Sequence, residues 1–346
     1  MKDIRNYGLL AHNTFGIDAK CSRFLEYESV EEARQIVGLL TEADQPLLIL
    51  GGGSNLLLTG DYAGTVLHSA IMGIEVLDNK TLAAAEGDDA LCNPDWVFLS
   101  CGSGEVFDDV VAYAVEHGYH GAENLSIIPG EVGASAVQNI GAYGVEAKDI
   151  IYKVEAGRVV VFDNADCEYS YRQSKFKHEW KDKYLVTHVI YRLQKTFRPD
   201  LDYGNIRSAL EAKRIAEPTA QQLRDVIIEI REAKLPDPKV LGNAGSFFMN
   251  PIVEKAKYEE LAALYPGMPH YTIDDSHEKI PAGWMIDQCG WKGKSLGRAG
   301  VHDKQALVLV NRGGATGEEI VKLCETIQED VKQKFGVEIH PEVNVK

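Results

Sequence analysis

Apolar positions change their period repeatedly along the chain, and each change marks the start or end of an element. Ser29 opens a capping box with Glu32, and Val30, Ala33, Val37 and Leu40 then recur at helical spacing. A helix is therefore predicted just ahead of the apolar strand Leu47–Leu50. Gly102-Ser103-Gly104 precedes a second amphipathic helix in which Val106, Val110, Val111, Ala114 and Val115 share a face, and Gly118 supplies a C′ stop. From about Val154 the pattern shortens to apolar segments at 158–162 and 184–193. The polar run from Tyr169 to Glu179 between them carries too much charge for a core. Strand signal ends around 196–199, and after a turn at Asp202-Tyr203-Gly204-Asn205 a helix carrying Thr219, Gln222, Leu223, Val226, Ile227 and Ile230 begins another domain. Farther on, a helix is predicted near 253–264, a strand at 306–310, and a long helix capped by Thr316 and Glu319. Ile320, Leu323, Cys324, Ile327, Val331 and Phe335 line one face of that helix, Gly336 ends it, and 337–339 reads as a last strand. Helices and strands mixed in this way give an α+β chain.

Two glycine clusters interrupt these elements. The strand Leu47–Leu50 runs into Gly51-Gly52-Gly53-Ser54-Asn55, and the stretch from Ile128 to Gly144 combines four more glycines with fixed polar residues and no charge after Glu131. Glycine permits positive φ and close approach of a ligand, and consecutive exposed N–H groups form a concavity suited to a pyrophosphate. Tightly packed turns are the structural alternative for either cluster. Neither has the G-x-G-x-x-G spacing of a Rossmann loop, and Gly51–Gly53 leads into Leu56-Leu57-Leu58 instead of opening a helix. No Gly-Lys-Ser/Thr closes either cluster, as a P-loop would require. The pattern that remains is a dinucleotide held by loops.

Composition narrows the partners. With 346 residues and 45% hydrophobic content, the chain is long enough for two or three cored domains. Its net charge of −16 argues against a nucleic-acid backbone, so an anionic ligand would need local positive charge. Cys21, Cys92, Cys101, Cys167, Cys289 and Cys324 include no C-x-x-C pair, which disfavours zinc and a disulfide framework and fits a reduced, cytoplasmic protein. No apolar run approaches the ~20 residues needed to cross a bilayer, and the first residues lack the apolar core of a signal peptide.

Candidate chemistry is sparse. Lys234 to Lys239 sets two cations beside a flexible turn, Gly242 to Pro251, that carries Ser246. Ser246 lacks the G-x-S-x-G elbow, so it either closes a turn or donates a proton. Arg172 is a surface ion-pair residue or a bidentate clamp for a carboxylate, and Glu342 after Pro341 is a solvated carboxylate or one aimed inward. His178, His188, His302 and His340 show no ligand spacing, so no metal is assigned.

Taken in order, Asn13 to Asp18, Gly51 to Asn55, Glu123-Asn124-Leu125, Ile128 to Gly144, Tyr171 to Ser174, Lys234 to Lys239, Gly242 to Pro251, Ala282 to Cys289, Gln305 to Leu309 and Pro341-Glu342-Val343 form one series. Over nearly its whole length the chain resembles the bacterial UDP-N-acetylenolpyruvoylglucosamine reductases, the flavoenzymes known as MurB. The resemblance implies a two-lobed FAD-binding domain of the vanillyl-alcohol-oxidase type over 1–198, onto which the final strand in 337–346 packs back, and a C-terminal α+β substrate-binding domain over 206–336. It implies non-covalent FAD held at Gly51, Gly52, Gly53, Ser54, Asn55, Ile128, Pro129, Gly130, Gly133, Ala134, Ser135, Gln138, Asn139, Gly141 and Gly144. NADPH and the enolpyruvyl sugar nucleotide use one cleft in turn, in peptidoglycan precursor synthesis. Arg172 and Glu342 steady the enolate and Ser246 gives the proton, while Tyr203, Lys234, Asn250 and Gln305 take the diphosphate and uridine, with Tyr203 on a mobile lid. The expected protein is a cytoplasmic monomer with no membrane or nucleic-acid partner. Gly52, Ala134-Ser135-Ala136 and His340 depart from other members, which puts individual flavin contacts in doubt. A covalent flavin oxidase of the same fold and a non-catalytic nucleotide sensor are the alternatives.

Overall fold

A computed structural model describes residues 1–156 and 160–346. Two compact units divide the chain: Met1–Tyr7, Cys21–Gly52 and Ala63–Ala233 form the first, and Gly8–Lys20, Gly53–Tyr62 and Lys234–Lys346 the second.

Among the described residues the first unit holds two larger sheets besides the short pair Gly141–Ala142 and Val145–Glu146. One orders the strands Lys2–Gly8, Lys20–Tyr27, Tyr62–Ser69 and Leu47–Leu50. Its last pair is parallel, with Leu48 opposite Val66 and Ile49 opposite Leu67. Parallel neighbours require the chain to travel back before pairing, and this return path carries the first glycine cluster. Helix Val30–Leu39 is capped as expected, Ser29 Oγ accepting from Glu32 N at 3.2 Å. The capping box is only half formed, since the Glu32 carboxylate accepts from Glu28 N. Its buried row is Val30, Ala33 and Ile36, and Val37, expected on that face, is 58% exposed.

The other sheet is antiparallel throughout, in the order Val160–Asp163, Ile151–Ala156, Val186–Gln194, Trp96–Gly102 and Ile74–Leu77. Of the expected segment 158–162, residues 158 and 159 lie outside the described residues. Helices Phe107–Glu116 and Val132–Gln138 lie on the sheet, burying Phe107, Val110, Val111, Ala114, Val132 and Ala136 with Leu99, Val189 and Tyr191. Val106 caps the first of these helices from an exposed position and is not part of its buried face. The run from Tyr169 to Glu179 is not wholly solvated: Ser174 and Phe176 are buried, the Phe176 ring meeting Phe162 at 5.5 Å and Trp180 at 5.1 Å.

Residues 199–205, expected between domains, fall inside the first unit, as do helix Ile206–Ala212 and nearly all of helix Ala220–Lys234. Arg224 on the latter grips Asp108 at 2.7 and 2.9 Å, and Asn124 Nδ2 donates to both Tyr143 O and Asp200 O. These contacts join polar atoms far apart in sequence, which periodicity does not reveal.

The second unit has two three-stranded sheets, Ile252–Glu254 with His277–Lys279 and Tyr271–Thr272, and Ser295–Leu296 with Ala299–Val301 and Leu309–Asn311. Helix Lys255–Leu264 starts two residues later than expected because 252–254 pairs as a strand. The helix Gly317–Phe335 has its full capping box and the αL glycine at Gly336, and all six predicted face residues are buried. No strand forms at 337–339. The last strand is Asn344–Val345, parallel to Leu56–Leu57 within this unit.

Candidate active site

The first unit brings the two glycine clusters together. A Cβ on Gly51 would lie 3.2 Å from Ala134 Cβ and 3.3 Å from Glu131 Oε2, and one on Gly52 would lie 3.4 Å from Gly130 Cα. In the second unit Gly53 has φ +63°, and a Cβ there would fall 2.0 Å from His12 O. The turn is thus restricted to bare backbone, whose N–H groups are the donors a diphosphate takes. That donor chemistry fits the pyrophosphate of FAD.

The longer cluster is not all loop. Val132–Gln138 is helical, favoured by Ala134 and Ala136, with Gly133 allowing contact with Ser103, whose Cβ would be 3.0 Å from an added Cβ. The amides of Val132 and Gly133 already donate to Glu105 O and Ser103 O, both at 2.9 Å. Ser135 turns its hydroxyl into the core, 2.6 Å from Tyr191 Oη. After the helix, Asn139 adopts φ +49°, and Tyr143 and Gly144 close a tight hairpin turn with φ +49° and +87°. Ile128 is buried, and Gly130 adopts φ +121°.

Arg172 meets this segment. Its Nη2 donates to Gly141 O at 2.7 Å and Nη1 to Asn139 O at 3.3 Å, and its guanidinium lies 5.3 Å from the Tyr171 ring centroid. A reciprocal turn between Ser170 and Gln173 presents the side chain, with Arg172 itself at φ +58°. Carbonyls and an aromatic face hold this arginine near the helix end. Sequence reading missed Arg231, three residues before Lys234 on the same helix. Burial pushes the Arg231 guanidinium pKa down and the charge of Arg172 adds to that, while Tyr143 and Asp108 oppose it. Two guanidiniums in one region supply the local positive charge that a chain of net −16 needs for an anionic ligand. Tyr203 is 44% exposed on its turn, edge-on to Tyr143 at 6.4 Å, and a Cβ on Gly144 would sit 3.4 Å from Tyr203 Cβ.

The second unit gathers the remaining candidates. Asn243 fixes the turn before Ser246: it donates to Pro236 O and Leu241 O, accepts from Gly245 N at 2.9 Å, and exchanges backbone and side-chain bonds with Thr14. Gly245, at φ +67°, then turns the chain so that Ser246 is exposed. Phe247 N donates to Leu307 O at 2.7 Å and Glu342 N to Phe247 O at 2.8 Å, which sets Ser246 beside the strand-like segment of Glu342. Asn250 Oδ1 accepts from Ala282 N at 2.9 Å, and Gln305 Oε1 would lie 3.1 Å from a Cβ on Gly283. Both substrate candidates therefore converge on the first turn of helix Ala282–Gln288. Asn55 O accepts from Asn344 N at 3.1 Å, linking the first glycine turn to the segment after Glu342. Lys234 ends its helix exposed. Among the described residues no His, Cys, Asp or Glu cluster is suited to a metal, and no helix is long and apolar enough to cross a membrane.

Comparison with known proteins adds an independent line. Residues 22–163 match the family model "FAD binding domain", and residues 237–346 match "UDP-N-acetylenolpyruvoylglucosamine reductase, C-terminal domain". The UDP-N-acetylenolpyruvoylglucosamine reductase of Bacteroides fragilis is 55% identical over 344 residues, covering 98% of this chain and 99% of that protein. The reductase of that name from Porphyromonas gingivalis is 46% identical over 347 residues, covering 99% and 98%. The crystal structure of the Thermus caldophilus reductase superposes with a TM-score of 0.65 at 21% identity, covering 99% of this chain and 98% of that one, so the fold is shared.

Proposed function

The chain belongs to the UDP-N-acetylenolpyruvoylglucosamine reductase family, and from that membership we propose that it reduces UDP-N-acetylglucosamine enolpyruvate to UDP-N-acetylmuramate for peptidoglycan synthesis. NADPH is the reductant and FAD the non-covalent cofactor in this reading, and the protein works as a cytoplasmic monomer. Held by the two glycine clusters, FAD would supply the redox chemistry, a hydride passed from NADPH through flavin N5 to C3 of the enolpyruvyl group.

The chain's own residues bind, orient and protonate. Backbone N–H groups of Gly51–Asn55 and of the Ile128–Gly144 stretch, other than those that donate within the protein as Val132, Gly133, Ser135 and Ile140 do, hold the cofactor. Arg172 and Glu342 grip the substrate carboxylate and steady the negative charge that develops on it. Ser246 donates the proton to C2, and a positioned donor of this kind contributes ~10²–10⁴ in rate. Serine is a weak acid by itself, so the enolate at short range must draw the proton. Tyr203, Lys234, Asn250 and Gln305 take the diphosphate and uridine, with Tyr203 as a closing lid.

The observation that carries this reading is Arg172 held on the carbonyls of Asn139 and Gly141, which places a cation beside the proposed cofactor stretch. Anaerobic stopped-flow absorbance tests it. NADPH should bleach the yellow protein, and the enolpyruvyl sugar nucleotide should then restore the colour. Protein that NADPH never bleaches, or that the sugar nucleotide never recolours, rules the reading out.

A further inference from the structure

Glu131 is an odd neighbour for a diphosphate cradle. Its Oε2 would lie 3.3 Å from a Cβ on Gly51 and its Oε1 3.7 Å from one on Gly52, so a carboxylate backs the turn whose amides are to receive an anion. Unopposed, that charge repels the ligand. His68, on strand Tyr62–Ser69, stands between this carboxylate and a second one: Nε2 is 3.3 Å from Glu131 Oε1, and Nδ1 is 3.0 Å from Glu26 Oε2. An ionised carboxylate only accepts, and a neutral imidazole has a single N–H. Both contacts are satisfied together only by the doubly protonated ring.

Resting on the FAD reading above, we propose that His68 is a positioning and charge-compensating residue of the cofactor site, bracing Glu131 behind the Gly51–Gly52 turn and cancelling its charge toward a bound diphosphate. Among the groups facing the ring are Glu26, which also pairs with Lys2 from the edge strand, Glu131, whose charge also reaches Tyr27, and the Phe24 ring stacked at 5.9 Å. Burial pushes the imidazole pKa down, but hydrogen bonds and charge from Glu131 and Glu26 outweigh it, and the pKa is raised. Compensation is therefore complete at low pH and is lost as pH rises through that raised pKa.

FAD binding to the flavin-stripped protein, followed by quenching of flavin fluorescence, supplies the test. Wild type should bind FAD, with Kd rising as His68 deprotonates. His68→Gln should weaken binding about tenfold at neutral pH, since Glu131 loses its counter-charge. Glu131→Gln should bind at least as tightly as wild type, and the double variant His68→Gln/Glu131→Gln should recover most of the lost affinity with a flat pH profile. A double variant no tighter than His68→Gln makes the histidine merely structural and overturns the proposal. A sloping profile in the double variant does so as well, and Glu131→Gln binding more weakly than wild type overturns it even where His68→Gln fails to fold. Wild type that never binds FAD overturns the cofactor reading itself, whereas normal wild-type binding with an unaffected His68→Gln overturns only this inference.

Discussion

Replacing Ser246 with alanine separates proton donation from every other duty of the site. The main chain around the residue is held independently of its hydroxyl, by Gly245 N on Asn243 Oδ1 at 2.9 Å, Phe247 N on Leu307 O at 2.7 Å and Glu342 N on Phe247 O at 2.8 Å. Ser246 is exposed, so the fold should change by no more than about 0.5 kcal/mol. A lost general acid lowers the rate by ~10²–10⁴, which at 1.36 kcal/mol per decade is about 2.7–5.4 kcal/mol of transition-state stabilisation. In the proposed reaction the proton is needed only after hydride has left the flavin. Reduction by NADPH should thus proceed at nearly the wild-type rate, and reoxidation by the enolpyruvyl sugar nucleotide should slow by two to four decades. Stopped-flow traces at the flavin absorbance band give both rates from one preparation. Equal slowing of the two half-reactions would refute the assignment, because it would indicate a damaged pocket instead of a missing acid.

Other perturbations reach the remaining parts of the molecule. Lys234→Ala should raise KM for the sugar nucleotide by roughly tenfold, as expected for one lost charge-assisted contact of ~1.5 kcal/mol, with little change in KM for NADPH; an unchanged sugar-nucleotide KM refutes its role. Gly53→Ala puts a Cβ 2.0 Å from His12 O at a φ of +63°, so backbone must shift, and thermal unfolding should show a loss of more than ~2 kcal/mol, with wild-type-like melting as the contrary result. Asp44 is held at about pKa 2, first by its hydrogen bond to Arg23 and then by Thr41 N. Since that folded value lies below the ordinary 3.8, its stabilising contribution is complete above about pH 4 and is lost as pH falls toward 2. Asp44→Asn should flatten the acid limb of a denaturation curve over this window, and an unaltered limb counts against the pairing.

Local signals in the sequence were enough to define much of the secondary structure. The helix Gly317–Phe335 was legible in full, because its capping box, its apolar stripe and its αL glycine all act within a few residues of one another. The two glycine clusters were equally visible, since glycine favours the positive φ of Gly53, Gly130 and Gly144 and the close approach at Gly51 and Gly52. Ile36 facing inward where Val37 was expected, and a final strand at Asn344–Val345 instead of 337–339, were decided by which neighbours each segment meets. The ordered motifs also pointed to the family before any geometry was available.

What only tertiary structure decided is the company these residues keep. Gly51 and Ala134, about eighty positions apart, come close enough that a Cβ on Gly51 would lie 3.2 Å from Ala134 Cβ. Arg172 finds the carbonyls of Asn139 and Gly141, Arg231 joins it from a distant helix, and His68 reaches two carboxylates on separate elements. The sequence therefore determined the elements, the glycine cradles and the family, whereas the pairing of charges around them required the fold. Local propensity acts over a turn or two of chain, but an ion pair or a buried imidazole depends on distances that only long-range packing sets.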